Sequence, residues 1–548
     1  MIGVLARDED CNVVAEFFQL FKTPWEFYRV GASYDVVLCS GTPVENASAP
    51  LILVYGSEST PLDGNGSSKL GLHSNVLLSY FESSIPIYGS CLAFDGKGGP
   101  LKFSGQQRSA SGETRSGTQT IIRLGYDLFR EVGHLLTEGQ PATCAQFPTL
   151  ELHIHCLRNL IVGHGIPLVE IPPVPEGFSF IVCLTHDVDH FGIRNHCLDH
   201  TMWGFLGRAL VGSPIDFLKG RRSGRQVGIN WLAALSLPAV YLGLHKDFWK
   251  QLDKYVEIEK DLKSTFFVLP DSDNPGAGAP DHRSKRRSAK YHLAQVRHQL
   301  RTLQQTGREV GLHGIDAWFD ERKGRDELER IRCETGQSDV GVRMHWLYFS
   351  KRSPELLENA GFSYDSTIGY NETVGYRAGT TQVFKHLTTD RLMELPMHVM
   401  DTALFYPAYM NLPPNKRSSA VDALVENCER FGGVLTVNWH DRSIAPERLW
   451  NEFYGRLLDD LRKRSAWFAT AADVVAWFRK RRETVFEHVP VKRAAARVHV
   501  PTGPSGSDLP ALNLRVIRPS PLLAAKATDE PYESRDFVLS SGVAEVAI

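Results

Sequence analysis

The spacing of hydrophobic positions changes repeatedly along this 548-residue chain. Near the N-terminus, Tyr34–Cys39 and Leu51–Gly56 are short apolar runs rich in Val, Ile and Leu, the pattern of buried strands. Ile121–Leu136 and Pro148–Val162 place apolar residues at helical spacing instead. Together they predict a smaller α/β domain over 1–176. Three prolines in Ile171–Gly177 then favour an extended linker. Phe178–Leu184 is unbroken and apolar, suited to a central parallel strand, and Ser264–Leu269 and Glu309–Leu312 read as further strands. A helix between the last two sets Leu293, Val296, Leu300 and Leu303 on one face and stops at Gly307. This alternation runs on to Trp477 and predicts a parallel α/β architecture over 177–483. After Arg482 the pattern breaks. Residues 484–548 are predicted as a C-terminal extension, with strands in Val498–Ile517 and a disordered last stretch.

An insertion occupies about 192–260. Its charge-free run Val227–Leu244 is borderline in length for a membrane span, and Asn230, Ser236 and Pro238 interrupt it. A buried or lid-forming helical pair is the favoured reading, with membrane-interface contact as the lesser alternative. The insertion ends in a helix whose apolar face includes Phe248, Leu252, Tyr255 and Leu262. Asn274–Arg287 reads as a loop.

Composition adds limits. At 42 % hydrophobic and 23 % charged, the chain is an ordinary globular protein that needs no disulfide to fold. A net charge of -2 gives no global attraction to nucleic acid or an anionic membrane. The nine cysteines are scattered and form no CxxC pair, which suggests free thiols in a reducing compartment. Acidic residues sit where a secretory leader would be apolar, so a cytoplasmic location is expected.

The sharpest chemical signal is Thr185-His186-Asp187-Val188-Asp189-His190, where a buried strand runs out. In extended chain, side chains two apart point the same way, so two carboxylates meet. They repel unless a cation lies between them or one holds a proton. The bland alternative is an Asp pair capping a turn. Further polar clusters follow other predicted strands: Glu309–Gly314, Gly341–Trp346, Tyr364–Thr367, Gly375–Gly379, Glu394–Pro396 and Val437–Arg442. In a β/α barrel all strand C-termini open onto one face, where active sites are built. His153 and His155, two apart on a predicted helix, do not face one site and read as core or surface residues. Tyr364–Phe384, rich in Gly, Thr and Tyr, reads as a rim loop. Its Arg377 is suited equally to an anionic sugar or phosphate and to a structural ion pair.

The ordered set THDVD, STFF, EVGLHG, RMHW, YDST and NWH resembles the polysaccharide deacetylase family, carbohydrate esterase family 4, over about 177–483. The resemblance implies a distorted (β/α)7 barrel. It implies a divalent metal, zinc first among candidates, and hydrolysis of acyl groups on an amino sugar or polysaccharide precursor. It makes Asp187 the base, Asp189 and His313 metal ligands, Arg343 the group orienting the base and His440 the proton donor to the leaving amine. The family's second metal histidine falls on Ala317, which binds no metal. Asp316 beside it is the favoured substitute, and His345 is another. Loss of the third ligand is the remaining reading. It would leave a catalytically impaired glycan-binding or scaffolding protein. An unrelated barrel amidohydrolase for small amides would share the metal chemistry. Trp346 and Trp439 read equally as pocket walls and as core, and one of His186 and His190 is expected to support the Asp pair.

Overall fold

A computed structural model describes the chain apart from residues 43–46, 61–70, 95–98, 271, 273–274, 277–286, 288, 488–494, 502–508, 521–522, 524–529, 531 and 548. The Asn274–Arg287 loop therefore lies almost wholly outside the described residues.

The apolar runs Val36–Ser40 and Leu51–Tyr55 are buried neighbours in a six-stranded sheet. Its strands are parallel from Trp25–Phe27 at one edge through to Gln119–Leu124, and Ser111–Ser116 adds an antiparallel far edge. Helices Cys11–Phe21, Leu128–Thr137 and Thr149–Gly163 share one apolar core with this sheet. The helix predicted over Ile121–Leu136 is corrected at its start. Gln119–Leu124 pairs with Leu51–Tyr55, and helix begins only at Leu128, capped by the Asp127 side chain accepting from Arg130 N. Strand and helix face the same core, so their apolar residues merge into one apparent period. His153 and His155 are buried in Thr149–Gly163, and burial pushes both pKa values down to about 3.

Phe180–Val188 is buried throughout and lies within a ten-stranded sheet. It pairs in parallel with Ser264–Val268 on one side and Val434–Asn438 on the other. Beyond Ser264–Val268 come Glu309–Gly314, Val342–Met344, Tyr364–Asp365 and Met393–Glu394, all parallel. The chain then runs straight on to Val399–Met400, which pairs with Val434–Asn438. Between these two short strands, Leu395 N donates to Asp365 O at 2.8 Å and His398 N to Thr436 O at 3.1 Å. Residues 393–400 thus bridge both ends of a curled sheet. The C-terminal ends of the strands, carrying Asp187, His313, Met344 and Asn438, gather at one end of the fold.

Tyr364–Phe384 is corrected from a rim loop to a mostly buried seam against the N-terminal residues. Tyr376 N donates to Ala145 O at 2.8 Å, and Thr381 N donates to the buried Glu151 Oε1 at 3.0 Å. Gly375, at φ 139°, is required here, since a Cβ would fall 2.2 Å from Ala145 O. Arg377 packs over the Tyr370 ring and donates to Glu138 O. The disordered tail is also corrected. Tyr532–Leu539 pairs with Leu512–Pro519, and Gly542–Ala547 pairs with Ala495–Val500. Tyr532–Leu539 is largely exposed, so it carries little hydrophobic periodicity to read, and backbone pairing and the Arg515–Asp536 ion pair hold it.

The insertion folds into His200–Gly207, a wide turn over Arg208–Gly212, Ser213–Leu218 and then the long helix Gly224–Tyr241. Ser223 and Gln226 form a reciprocal cap at the start of the long helix. Its inner face, with Ala233, Ala234, Leu237 and Val240, packs on Ile193, Phe205 and Trp249. No described helix is long and apolar enough to cross a membrane.

Candidate metal centre and cleft

Strand alternation sorts the THDVD segment into two faces. Thr185 and Asp187 point one way, into the group of polar strand ends. His186 points the other way, fully buried, with Nε2 2.7 Å from Glu259 Oε1 and Nδ1 2.8 Å from Trp439 O. His186 is therefore a packing residue. Asp189 leaves the strand and turns into a cleft of about 390 Å³ that also holds Asp187, His313, His345, Trp346 and His440.

Asp189 Oδ1 lies 3.4 Å from His313 Nε2 and 3.4 Å from His345 Nε2. That oxygen is buried and has no hydrogen-bond partner among the described residues. His313 donates through Nδ1 to Arg343 O at 2.9 Å, which turns Nε2 toward Asp189. Three donor atoms of the right kinds thus converge: one carboxylate oxygen and two imidazole nitrogens. A divalent cation fits this set, and its charge would satisfy the orphaned oxygen.

Asp316 is not among them. It is fully buried, with Oδ1 2.7 Å from Arg287 Nη2 and Oδ2 2.7 Å from Lys323 Nζ. Ala317 also faces away from the cleft, packing 3.2 Å from the Cβ position of Gly324 on the next helix. A histidine at 317 would overfill that contact. His345 comes instead from the end of the adjacent strand, where Arg343 is in register with His313. The chain there enters a strained turn, with Trp346 at φ 63° and Leu347 at φ 56°. Trp346 stands half-exposed at the cleft, whereas Trp439 is buried and stacked on Tyr454.

Asp187 is held from two sides. Arg343 Nη1 donates to its Oδ1 at 3.1 Å and Asn438 Nδ2 to its Oδ2 at 2.8 Å. Arg343 is itself fixed by donating to Thr185 Oγ1, Ser366 Oγ and Ser366 O. Burial works against the Asp187 charge, but His313, Arg343 and His440 outweigh it and hold its pKa below the usual range. Asp189 is held lower still: burial opposes its charge, and His345 and His313 overcome it.

His440 Nδ1 donates to Asp401 Oδ1 at 2.6 Å, and Asp401 Oδ2 accepts from His440 N and from Ser443 Oγ. Burial disfavours the imidazolium, yet Asp401, Asp189 and Asp187 carry its pKa up to about 10. Asp401 follows the short strand Val399–Met400, so a lone Asp at a strand end was the only signal that could have singled it out. Asn438 lies within the NWH motif. His190 forms a separate line on the cleft wall, its Nδ1 3.0 Å from His196 Nε2, with His196 Nδ1 2.9 Å from Asp199. Arg208, Arg442 and Arg448 crowd one wall; burial and their mutual repulsion lower the pKa of Arg208 and Arg442.

Asp365, His386 and Glu394 form a second buried cluster within the sheet. Burial raises the Asp365 pKa well above its usual value and that of Glu394 to about 8. A proton shared by the two carboxyls would relieve their repulsion, as would a cation bound between them.

No family model and no curated protein matches this sequence. Among solved structures, a protein assigned as a polysaccharide deacetylase from Mycobacterium smegmatis is 19 % identical, covering 57 % of this chain and 95 % of its own at a TM-score of 0.35. A Puue allantoinase is 13 % identical over 56 % of this chain and 92 % of its own, also at 0.35. A CE4-family pseudoenzyme from Bacillus anthracis is 12 % identical over 54 % and 65 %, at 0.25. Overlap this weak carries no argument about the chemistry, which rests on the residues of the cleft.

Proposed function

We propose that this chain is a divalent-metal-dependent hydrolase that removes an acetyl or similar acyl group from an amino sugar. Residues 177–483 would form the catalytic part on a distorted (β/α)7 barrel, with zinc as the metal. The carrying observation is the buried, unpartnered Asp189 oxygen met by two imidazole nitrogens at 3.4 Å each. Asp189, His313 and His345 would hold the ion. When bound, such a cation supplies Lewis acidity that eases deprotonation of water and polarises an acyl carbonyl.

The remaining chemistry belongs to the side chains. Asp187 is ionised, and Arg343 and Asn438 fix its direction, so it is suited to accept a proton from the attacking water. His440 is held protonated by Asp401 and is suited to deliver a proton to the leaving nitrogen. The half-exposed Trp346 ring offers a stacking face for a sugar. The arginine wall favours a substrate that carries a phosphate or carboxylate near the acyl group.

A non-catalytic glycan-binding scaffold is the second reading, and Ala317 is its basis. His345 weighs against it by offering a third donor atom from the next strand.

The test is elemental analysis of the purified chain after zinc loading, with acetate release measured on N-acetylated glucosamine oligomers and phosphorylated N-acetylglucosamine. The expected result is one zinc per chain and acetate from at least one substrate. Asp187→Asn should keep the zinc and lose turnover. A chain that takes up no metal would refute the proposal.

A further inference from the structure

The two-helix insertion carries an apolar outer face that the rest of the fold leaves uncovered. Twelve of the twenty exposed large hydrophobic residues among those described fall between Leu198 and Leu244. They include Trp203, Phe217, Leu218, Trp231, Leu232 and Leu235, with Leu218 83 % and Leu235 76 % exposed. On the long helix, Trp231, Leu235 and Leu242 recur at spacings of four and seven and so share one outer face, opposite the buried Ala233, Ala234 and Leu237. That helix is apolar on both faces, although only one packs on the core. Of the two expectations for this pair, buried or lid-forming, the exposed outer face rules out full burial. Scattered exposed apolar residues are normal on a protein surface, but this density on one hairpin marks an interaction site.

Charge narrows the partner. Lys219, Arg225, Lys246 and Lys250 are exposed on or beside the same hairpin. The acidic residues of the segment are all withdrawn: Asp199 pairs with Lys290, Asp216 pairs with Arg222, and Asp247 is buried and accepts from Ile193 N and Trp249 N. Asp216 keeps 35 % of its side chain exposed but is paired with Arg222, while Asp199 and Asp247 are largely covered. The result is a Trp- and Leu-rich face with a predominantly basic fringe. A symmetric pair of this chain through the same face would set like charges against each other. A bilayer with anionic headgroups would accept both the apolar face and the fringe.

We propose that residues 198–250 dock the chain onto the surface of an anionic phospholipid bilayer, with both helices lying in the interface and neither crossing it. Trp203 and Trp231 would sit at headgroup depth and the leucines just below. The first helix of the hairpin also lines the cleft, through His200, Thr201, Gly204 and Arg208, so docking holds the cleft mouth close to the lipid. The docking itself does not depend on the hydrolase reading. Its consequence for the substrate does: the acylated sugar would be presented at a membrane.

The test is co-sedimentation of the full chain with vesicles of phosphatidylcholine alone and of phosphatidylcholine mixed with phosphatidylglycerol. The chain should pellet with the mixed vesicles and be released by high salt. The double variant Trp231→Glu, Leu235→Glu should bind at least about tenfold more weakly. Both sites are on the surface, so its urea midpoint should equal that of the wild type. Asp189→Ala should pellet like the wild type, which separates docking from catalysis. A wild-type chain that stays in the supernatant with mixed vesicles overturns the proposal, and so does a double variant that still pellets. A wild-type dimer that the double variant splits would assign the face to a second copy and overturn it as well.

Discussion

Asp316 and His345 compete for one role, and their surroundings predict opposite phenotypes. Asp316→Asn removes the negative charge facing Arg287, whose side chain is 1 % exposed and sits 2.7 Å away. Breaking a buried ion pair by removing one partner costs about 3–5 kcal/mol, because the remaining charge stays desolvated. Asparagine keeps an oxygen for the guanidinium, and Arg287 Nη1 still donates to Ile315 O, so the lower end, about 3 kcal/mol, is expected. The Lys323 pair adds little, since that side chain is 39 % exposed. Asp316→Asn should thus lose stability in urea denaturation and still bind metal stoichiometrically. His345→Gln should behave in the reverse way. His345 Nδ1 has no partner among the described residues, so little stability is at stake. Its Nε2 is one of three converging donor atoms. Loss of an outer-shell partner already weakens metal binding about 10–100-fold, so loss of a donor should exceed about 100-fold. Competition with a chromophoric chelator measures this directly. If Asp316→Asn lost its metal at unchanged stability, or His345→Gln kept wild-type affinity, the assignment of the third donor would be wrong.

Two further outcomes follow from the buried acids. Asp401→Asn removes the carboxylate that holds His440 up at about 10, so the alkaline limb of the pH–rate profile should move toward neutrality with metal content unchanged; an unmoved limb would exclude His440 as the proton donor. Burial raises the Glu151 pKa from 4.5 to about 7 against the hydrogen bonds from Thr380 and Thr381. A folded-state value above the unfolded one means the native state binds the extra proton, so its contribution is complete below pH 4.5 and is lost as pH climbs through 7. Relative to Glu151→Gln, the wild type should lose about 3 kcal/mol over that window, and parallel stability curves would refute the shift.

The parts of the fold visible in the sequence are those with local causes. The apolar run Phe180–Leu184 reports burial on both faces of a single strand, and the polar residues Thr185, His186 and Asp187 mark its C-terminal end. The two-residue alternation likewise separates Asp187 from His186 before any partner is known. What the sequence hides depends on neighbours far away in the chain. Asp401 matters only because Val399–Met400 pairs beside Val434–Asn438, which sets it under His440. Asp316 looks like a donor until Arg287 and Lys323 arrive from two other segments and occupy both of its oxygens. The same reasoning explains why an alanine can stand at 317. Position 317 points into the core against Gly324, while the register of His313 with Arg343 brings His345 to the cleft from the adjacent strand. A donor atom is defined by where it ends up in space, and neighbouring strand ends of a curled parallel sheet offer interchangeable places to put it. A motif read along one strand therefore misses a donor that a neighbouring strand brings within reach of the same point.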